Sequence, residues 1–283
     1  MNKRFAVLGS PISHSLSPLM HQAAFAALGI DATYEAIEVN SIGLAETLEK
    51  CRKRMGGFNV TAPHKETTVK LVDTLDEDAS LLRAVNTVRC IDGRLDGYNT
   101  DVEGFANALR EASVELRDKH IVVLGTGGAA RAVVCAAVRH GAAQVTVAGR
   151  RHARAIAICE ALCLSAATNL VASTFRDAQF QRAMKTADIL VQATSVPPRG
   201  LEAQALLDTL AMPHTREHLL AMDLAYGTSV SLFCEEASTH QRRSMDGRAM
   251  LVHQGALAFE RFTGVKAPIE VMHKAVDEAL KLP

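Results

Sequence analysis

The sequence predicts an α/β protein of two domains, one of them built on a doubly wound parallel sheet. Three observations predict it. Apolar, strand-like runs alternate with helix-like stretches, and glycines stand at several strand ends. One segment, "KHIVVLGTGGAARAVVCAAVRHGAAQVTVAGRR" (119–151), reads as strand, glycine turn, alanine-rich helix and second strand. The tail from Gly247 to Leu282 has a helical pattern, and no repeat or low-complexity segment interrupts the chain.

The elements follow in order. "RFAVLG" (4–9) is a strand, and "SPLMHQAAFAALG" (17–29) a helix with Ser17 expected at the N-cap, Pro18 at the first helical position and Gly29 closing it. "ATYEAIEV" is the next strand, and a helix runs from about Ile42 to Arg54. The short strand Phe58-Asn59-Val60 then meets Thr61 and Pro63, and proline suits a helix start, so a helix is expected through Lys65 towards Val72. "AVNTVRCIDGRLDGYNTD" (84–101) reads as a β-hairpin turning at Asp92-Gly93. A linking helix starts near Asp101, and "ADILVQAT" (187–194) and "LLAMDLAY" (219–226) are further strands.

Composition bounds the function. At 283 residues the chain can bury a large core, and 31 basic residues balance 31 acidic ones, so no global field points to nucleic acid or an acidic membrane. No apolar run reaches membrane-spanning length, and "MNKRFAVLGS" is too quickly strand-like for a signal peptide. A cytoplasmic location is expected. Six cysteines (51, 90, 135, 159, 163 and 234) form no C-x-x-C, so free, mostly buried thiols are expected.

Lys65 asks for an explanation. The first turn of a helix carries partial positive charge and disfavours a cation. A lysine placed there is either an ordinary solvated residue or one aimed at chemistry. The glycine turn is the stronger signal. Gly125-Thr126-Gly127-Gly128-Ala129-Ala130 is a G-x-G-x-x-A turn between strand and helix. The first glycine permits the turn, the second lets backbone approach a pyrophosphate, and the small sixth residue lets helix and strand pack closely. The second strand ends in Gly149-Arg150-Arg151, with Arg154 one turn on and no carboxylate. A ribose 2′-hydroxyl would want Asp or Glu there, whereas guanidinium groups suit a 2′-phosphate, so the expected cofactor is NADP.

Seven motifs in order then resemble one family, the shikimate and quinate dehydrogenases. They are "SHSLSP" (13–18), "NVTAPHK" (59–65), "AVNT" (84–87), "NTD" (99–101), "GTGGAAR" (125–131), "QATS" (192–195) and "DGRAMLVHQG" (246–255). The resemblance implies a reversible, NADP-dependent reduction of 3-dehydroshikimate to shikimate in aromatic amino-acid biosynthesis. It implies Lys65 and Asp101 as the catalytic pair. Ser15, Ser17, Thr61, Lys65, Asn86, Asp101, Tyr226 and Gln254 match the family's substrate-contact positions. Gly125, Gly127, Gly128, Ala129, Ala130, Arg150, Arg151 and Arg154 match its nucleotide site, with Thr194, Ser195, Leu224, Gly247 and Glu77 as further cofactor positions. The implied architecture is an N-terminal α/β substrate domain (1–101 plus 246–283) and a Rossmann-like NADP-binding domain (102–245), with substrate in the cleft between them.

The chain departs from the family pattern at several points. Gly149 replaces the usual asparagine, "SVPPRG" (195–200) replaces S-x-G-M, Val102 replaces glycine, Arg83 replaces a small residue, and "GTSVSLF" lacks the threonine-proline step. A paralogue acting on quinate or aminoshikimate is therefore an alternative. A second is a non-catalytic ligand-sensing protein, against which the intact Lys65 and Asp101 count. His14, His21, His64 and His253 flank the motifs without metal-ligand spacing, so no metal is expected. "CRKRM" (51–55) reads as a solvated helix end, where cations are favourable. The expected partner is the small-molecule substrate, with no nucleic acid or membrane, in a monomer or homodimer.

Overall fold

Apolar strand runs need covering on both faces, and the chain meets that need twice. The structure, a computed structural model, describes residues 3–163 and 167–281; Leu282, the expected end of the helical tail, lies outside them. Contacts divide the chain into two units. The first comprises residues up to Gly104 with Leu251–Lys281, and the second Phe105–Met250.

In the first unit β1 (Lys3–Gly9), α1 (Ser17–Ala27), β2 (Ala32–Glu38), α2 (Leu44–Arg54), β3 (Gly57–Val60), α3 (Lys65–Thr68), β4 (Thr74–Leu75), α4 (Glu77–Leu82), β5 (Thr87–Ile91) and β6 (Arg94–Tyr98) follow in order, before α5 (Asp101–Glu111) leads into the second unit. They form a mixed sheet of order β2-β1-β3-β5-β6-β4. β1 is parallel to β2 and β3, whereas β5 runs antiparallel to β3 and β6. The hairpin turns where expected, with Asp92 (φ 50°) and Gly93 (φ 73°) both left-handed, as a two-residue type I′ turn requires.

Three expectations need correcting. Ser17 is the first helical residue of α1, not its N-cap, and Pro18 is therefore the second and not the first; Leu16 takes the N-cap place without a side-chain cap, and the Ser17 N–H donates to Ser15 Oγ at 3.3 Å. The helix through Lys65 stops at Thr68 instead of reaching Val72. Thr68 Oγ1 donates back to the His64 carbonyl, and Lys70 and Leu71 make tight turn bonds to Thr67 and Thr68. These turns set Val69, Leu71 and Val72 against the core formed by Leu44, Leu48, Phe58 and Val88. Burying those side chains outweighs continuing the helix.

The second unit holds β7 (His120–Leu124), α6 (Gly128–Arg139), β8 (Gln144–Ala148), α7 (His152–Ala161), β9 (Asn169–Ser173), α8 (Ala178–Thr186), β10 (Ile189–Gln192), α9 (Leu201–Leu207), β11 (Leu220–Asp223), α10 (Leu232–Thr239) and β12 (Arg243–Met245). All its strand pairs are parallel, in the order β12-β11-β10-β7-β8-β9. That is the doubly wound order, reversing between β7 and β10. α11 (Arg248–Thr263) returns the chain to the first unit, where α12 (Ile269–Ala279) packs on α1.

No helix of the described residues is long and apolar enough to cross a membrane. Three of the six cysteines (51, 135 and 234) are buried. Burial pushes the thiols of Cys51 and Cys90 up to about 11 and about 12, so both stay protonated at neutral pH.

Candidate active site

β1 and β3 are adjacent and parallel, so the segments leaving their carboxyl ends emerge side by side. The Ser10 N–H donates to the Ala62 carbonyl (3.2 Å) and the Thr61 N–H to that of Leu8 (2.9 Å). Gly9 makes this approach possible, because a Cβ there would come within 2.5 Å of Thr61 Cγ2. The loop with Ser15 and Ser17 thus leaves the same sheet edge as Thr61 and Lys65. β5, antiparallel to β3, begins there just after Asn86, and β6, antiparallel to β5, ends there and leads into the Asn99–Asp101 segment.

Lys65 and Asp101 meet there. Lys65 Nζ donates to Asp101 Oδ2 at 2.6 Å, with the carboxylate side chain 7% exposed and the lysine 23%. Asp101 opens α5, where a helix N-terminus favours a carboxylate. Its backbone N–H donates to Asn99 Oδ1 (3.0 Å), and its Oδ1 accepts from Asn86 Nδ2 (2.8 Å). Gln254 Oε1 lies 3.5 Å from the same Asn86 nitrogen. Among the described residues Asp101 is the one hydrogen-bond partner of Lys65 Nζ. The remaining ammonium donors are available to a ligand.

A buried network stands behind this pair that the sequence motifs do not announce. Asn86 Oδ1 accepts from the Thr100 N–H and from Thr87 Oγ1, both at 2.9 Å. Asn59 Nδ2 donates to the Asn86 carbonyl (3.0 Å) and to Thr87 Oγ1 (2.9 Å), and Asn59 Oδ1 accepts from the Tyr34 hydroxyl (2.7 Å). Every buried amide atom of Asn59 is matched, so the amide is locked. The available signal was an asparagine inside the buried strand "GFNV", which needs partners for its amide.

In the second unit the glycine turn lies at the carboxyl end of β7, where the strand order reverses. Gly125 is left-handed (φ 119°), and a Cβ there would come within 2.6 Å of the Ala193 carbonyl oxygen. Gly127 is the extended N-cap of α6 and Gly128 its first residue, and neither has an atom within 4 Å of a built Cβ. Ala129 follows, and Ala130 is fully buried. The helix N-terminus is thus open to an anion. β8 ends at Ala148, and Arg150, Arg151 and Arg154 follow, all exposed and without a carboxylate partner among the described residues. Gly149 has a local reason: its Cβ would sit 2.8 Å from Thr126 Cγ2, so the turn leaves no room for asparagine without a shift.

The remaining candidates fall as follows. Thr194 and Ser195 leave β10, with the Thr194 N–H bonded to Gln192 Oε1 at 3.1 Å. Leu224 follows β11 and donates its N–H to the Gln192 carbonyl (3.0 Å). Gly247 lies against it, where a Cβ would be 2.1 Å from the Leu224 oxygen. Tyr226 lines a pocket of about 160 Å³ with Ser231 and Asp246, and burial raises its phenol pKa. Glu77 opens α4 in the first unit. Arg83 closes that helix in the left-handed region (φ 51°), a conformation that favours glycine.

Known families match this arrangement. Residues 7–88 match the shikimate dehydrogenase substrate binding domain, 107–246 the shikimate / quinate 5-dehydrogenase domain, and 247–276 the shikimate 5′-dehydrogenase C-terminal domain. A shikimate dehydrogenase (NADP(+)) of Methanopyrus kandleri is 41% identical over 97% of this chain and 95% of its own. The chain belongs to the shikimate dehydrogenase family. Among solved structures, shikimate 5-dehydrogenase of Listeria monocytogenes, in complex with shikimate and NAD, superposes with a TM-score of 0.89 at 30% identity, covering 97% of this chain and 96% of that one. The Thermus thermophilus enzyme, in complex with NADP(H) and shikimate, gives 0.85 at 34% identity, covering 98% and 99%.

Proposed function

We propose that this protein catalyses the reversible, NADP-dependent reduction of 3-dehydroshikimate to shikimate. The observation that carries the reading is the Lys65–Asp101 ion pair, fixed through Asn86 at the sheet edge where the Ser15–Ser17 loop and Thr61 also emerge. The serine hydroxyls and the N-terminus of α1 suit the substrate carboxylate. Asn86, Gln254, Thr61 and Tyr226 are the further substrate contacts.

The glycine turn and Arg150, Arg151 and Arg154 would hold NADP, which when bound supplies or accepts the hydride at the substrate carbon. In reduction, negative charge develops on the carbonyl oxygen. The Lys65 ammonium donates a hydrogen bond and then a proton to it, and Asp101 holds the ammonium in place and shares its charge. In oxidation the pair takes the hydroxyl proton back. Asn86 fixes the carboxylate, so the ammonium reaches the reacting oxygen without reorganising. The same reading places the enzyme in the cytoplasm, as a monomer or homodimer with no nucleic-acid or membrane partner.

A panel of shikimate, quinate and aminoshikimate, each with NADP and with NAD, tests the proposal. Shikimate with NADP is expected to give the highest kcat/KM. Quinate or aminoshikimate ahead by tenfold or more would assign the chain to a paralogous activity, and binding without turnover of any of them would make it a sensor.

A further inference from the structure

A second cationic site lies in the first unit, at the end of the sheet away from Lys65. A depression of about 490 Å³ is lined there by Lys3, Arg4, Arg54, Arg89 and Arg261, and by no carboxylate. Backbone pairing builds it. The Gly56 N–H donates to the Arg4 carbonyl (2.9 Å), the Cys90 N–H to that of Gly56 (3.1 Å), and Arg89 stands opposite Gly57 in the β3–β5 ladder. β1 begins here at Lys3 and ends at Gly9, so the site is about 20 Å from the catalytic edge at roughly 3.3 Å per strand residue.

The charges are incompletely matched. Arg4 pairs with Glu35 at 2.5 Å, and the Arg261 guanidinium lies over the Tyr98 ring, 4.7 Å from its centre. Among the described residues the side chains of Lys3, Arg54 and Arg89 have neither a carboxylate nor a hydrogen-bond partner. A solvated helix end accounts for Arg54, the last residue of α2. It does not account for Arg89, which is half-buried within β5. In a chain whose charges balance overall at 31 to 31, a concave set of five cations from four separate segments is a focused positive field.

We propose that this depression binds an organic phosphate, at a site distinct from the 2′-phosphate position at Arg150. Guanidinium forks match phosphate oxygens in bidentate fashion. The volume exceeds what one phosphate needs, and Met55, Ile91 and Phe262 add apolar surface for a small carbon skeleton. The concavity favours a small molecule over a flat polyanion or membrane. The inference stands independently of the proposed reaction.

The test is calorimetric titration of the full chain, in saturating NADP, with fructose 1,6-bisphosphate and with inorganic pyrophosphate. Fructose, a DNA duplex and vesicles containing phosphatidylserine serve as comparisons. One equivalent of bisphosphate or pyrophosphate is expected to bind, with no response to fructose. Arg89→Ala and Arg54→Ala should each weaken it by about 10- to 150-fold, the range for a hydrogen bond to a charged group. Both variants should keep the wild-type circular dichroism spectrum and thermal midpoint, which shows that they fold, and Arg150→Ala should leave the bisphosphate affinity unchanged. No binding of either probe, equal binding by the Arg54 and Arg89 variants and the wild type, or loss through Arg150→Ala would overturn the proposal. Arg89-dependent capture of DNA or vesicles without binding of the small phosphates would overturn it too.

Discussion

The Tyr34 hydroxyl donates a 2.7 Å hydrogen bond to Asn59 Oδ1, linking β2 to β3 across β1 and beginning a buried chain that ends at Asp101. Phe at position 34 would keep the ring but strand the Asn59 oxygen. An unsatisfied buried acceptor costs about 1–3 kcal/mol, so Tyr34→Phe should lower the urea midpoint by that equivalent without changing the m-value. Asn59→Leu should cost more, because it leaves the Tyr34 hydroxyl without its acceptor and removes a donor from both Thr87 Oγ1 and the Asn86 carbonyl. Wild-type stability in both variants would mean that the network is not held as described.

Arg150 carries the cofactor prediction. Charge-assisted hydrogen bonds contribute roughly 1.5–3 kcal/mol each, so Arg150→Ala should weaken NADP by about 10- to 150-fold. NAD, with no 2′-phosphate, should be nearly unaffected. Fluorescence titration of both dinucleotides checks this. Equal losses would make the arginine structural.

His21 gives a pH signature. It is fully buried and stacked on Tyr34 with ring centres 4.3 Å apart, and neither ring nitrogen has a hydrogen-bond partner among the described residues. Burial lowers its pKa from 6.5 to about 3. Below pH 6.5 the unfolded chain takes up a proton that the folded chain refuses until about pH 3. Its contribution to stability is therefore full above pH 6.5 and is lost on acidification through that window. The slope from one such group is about 1.4 kcal/mol per pH unit. His21→Leu should flatten the acid limb of the stability curve by about that slope between pH 6 and 4. An unchanged limb would place the acid sensitivity elsewhere.

How much of this was legible depended on sequence distance. The turn at Asp92-Gly93, the glycine loop and the strands flanking it follow from local chemistry, and they stand where the pattern put them. Lys65 and Asp101 were legible as motif residues, although only the fold brings their charges together across 36 positions. The dipole conflict that singled out Lys65 is weaker than expected, since α3 has four residues and Asp101 supplies a countercharge. The partners of Asn59 lie 25 to 28 positions away, and no local pattern names them. The two-residue strand β4 and the edge strand β12 are too short for a periodic signal. The basic depression joins "CRKRM", read alone as a helix end, to arginines on β1, β5 and α11.

The most direct test of the account is turnover of shikimate with NADP by Lys65→Ala, Asp101→Asn and the double variant. Proton transfer by a positioned group is worth on the order of 10²–10⁴-fold, so each single change should lower kcat by about that factor. The double variant should lose far less than the product of the two losses, because the ion pair acts as one unit. A folded Lys65→Ala protein with kcat within about threefold of wild type, well short of that range, would contradict the assignment.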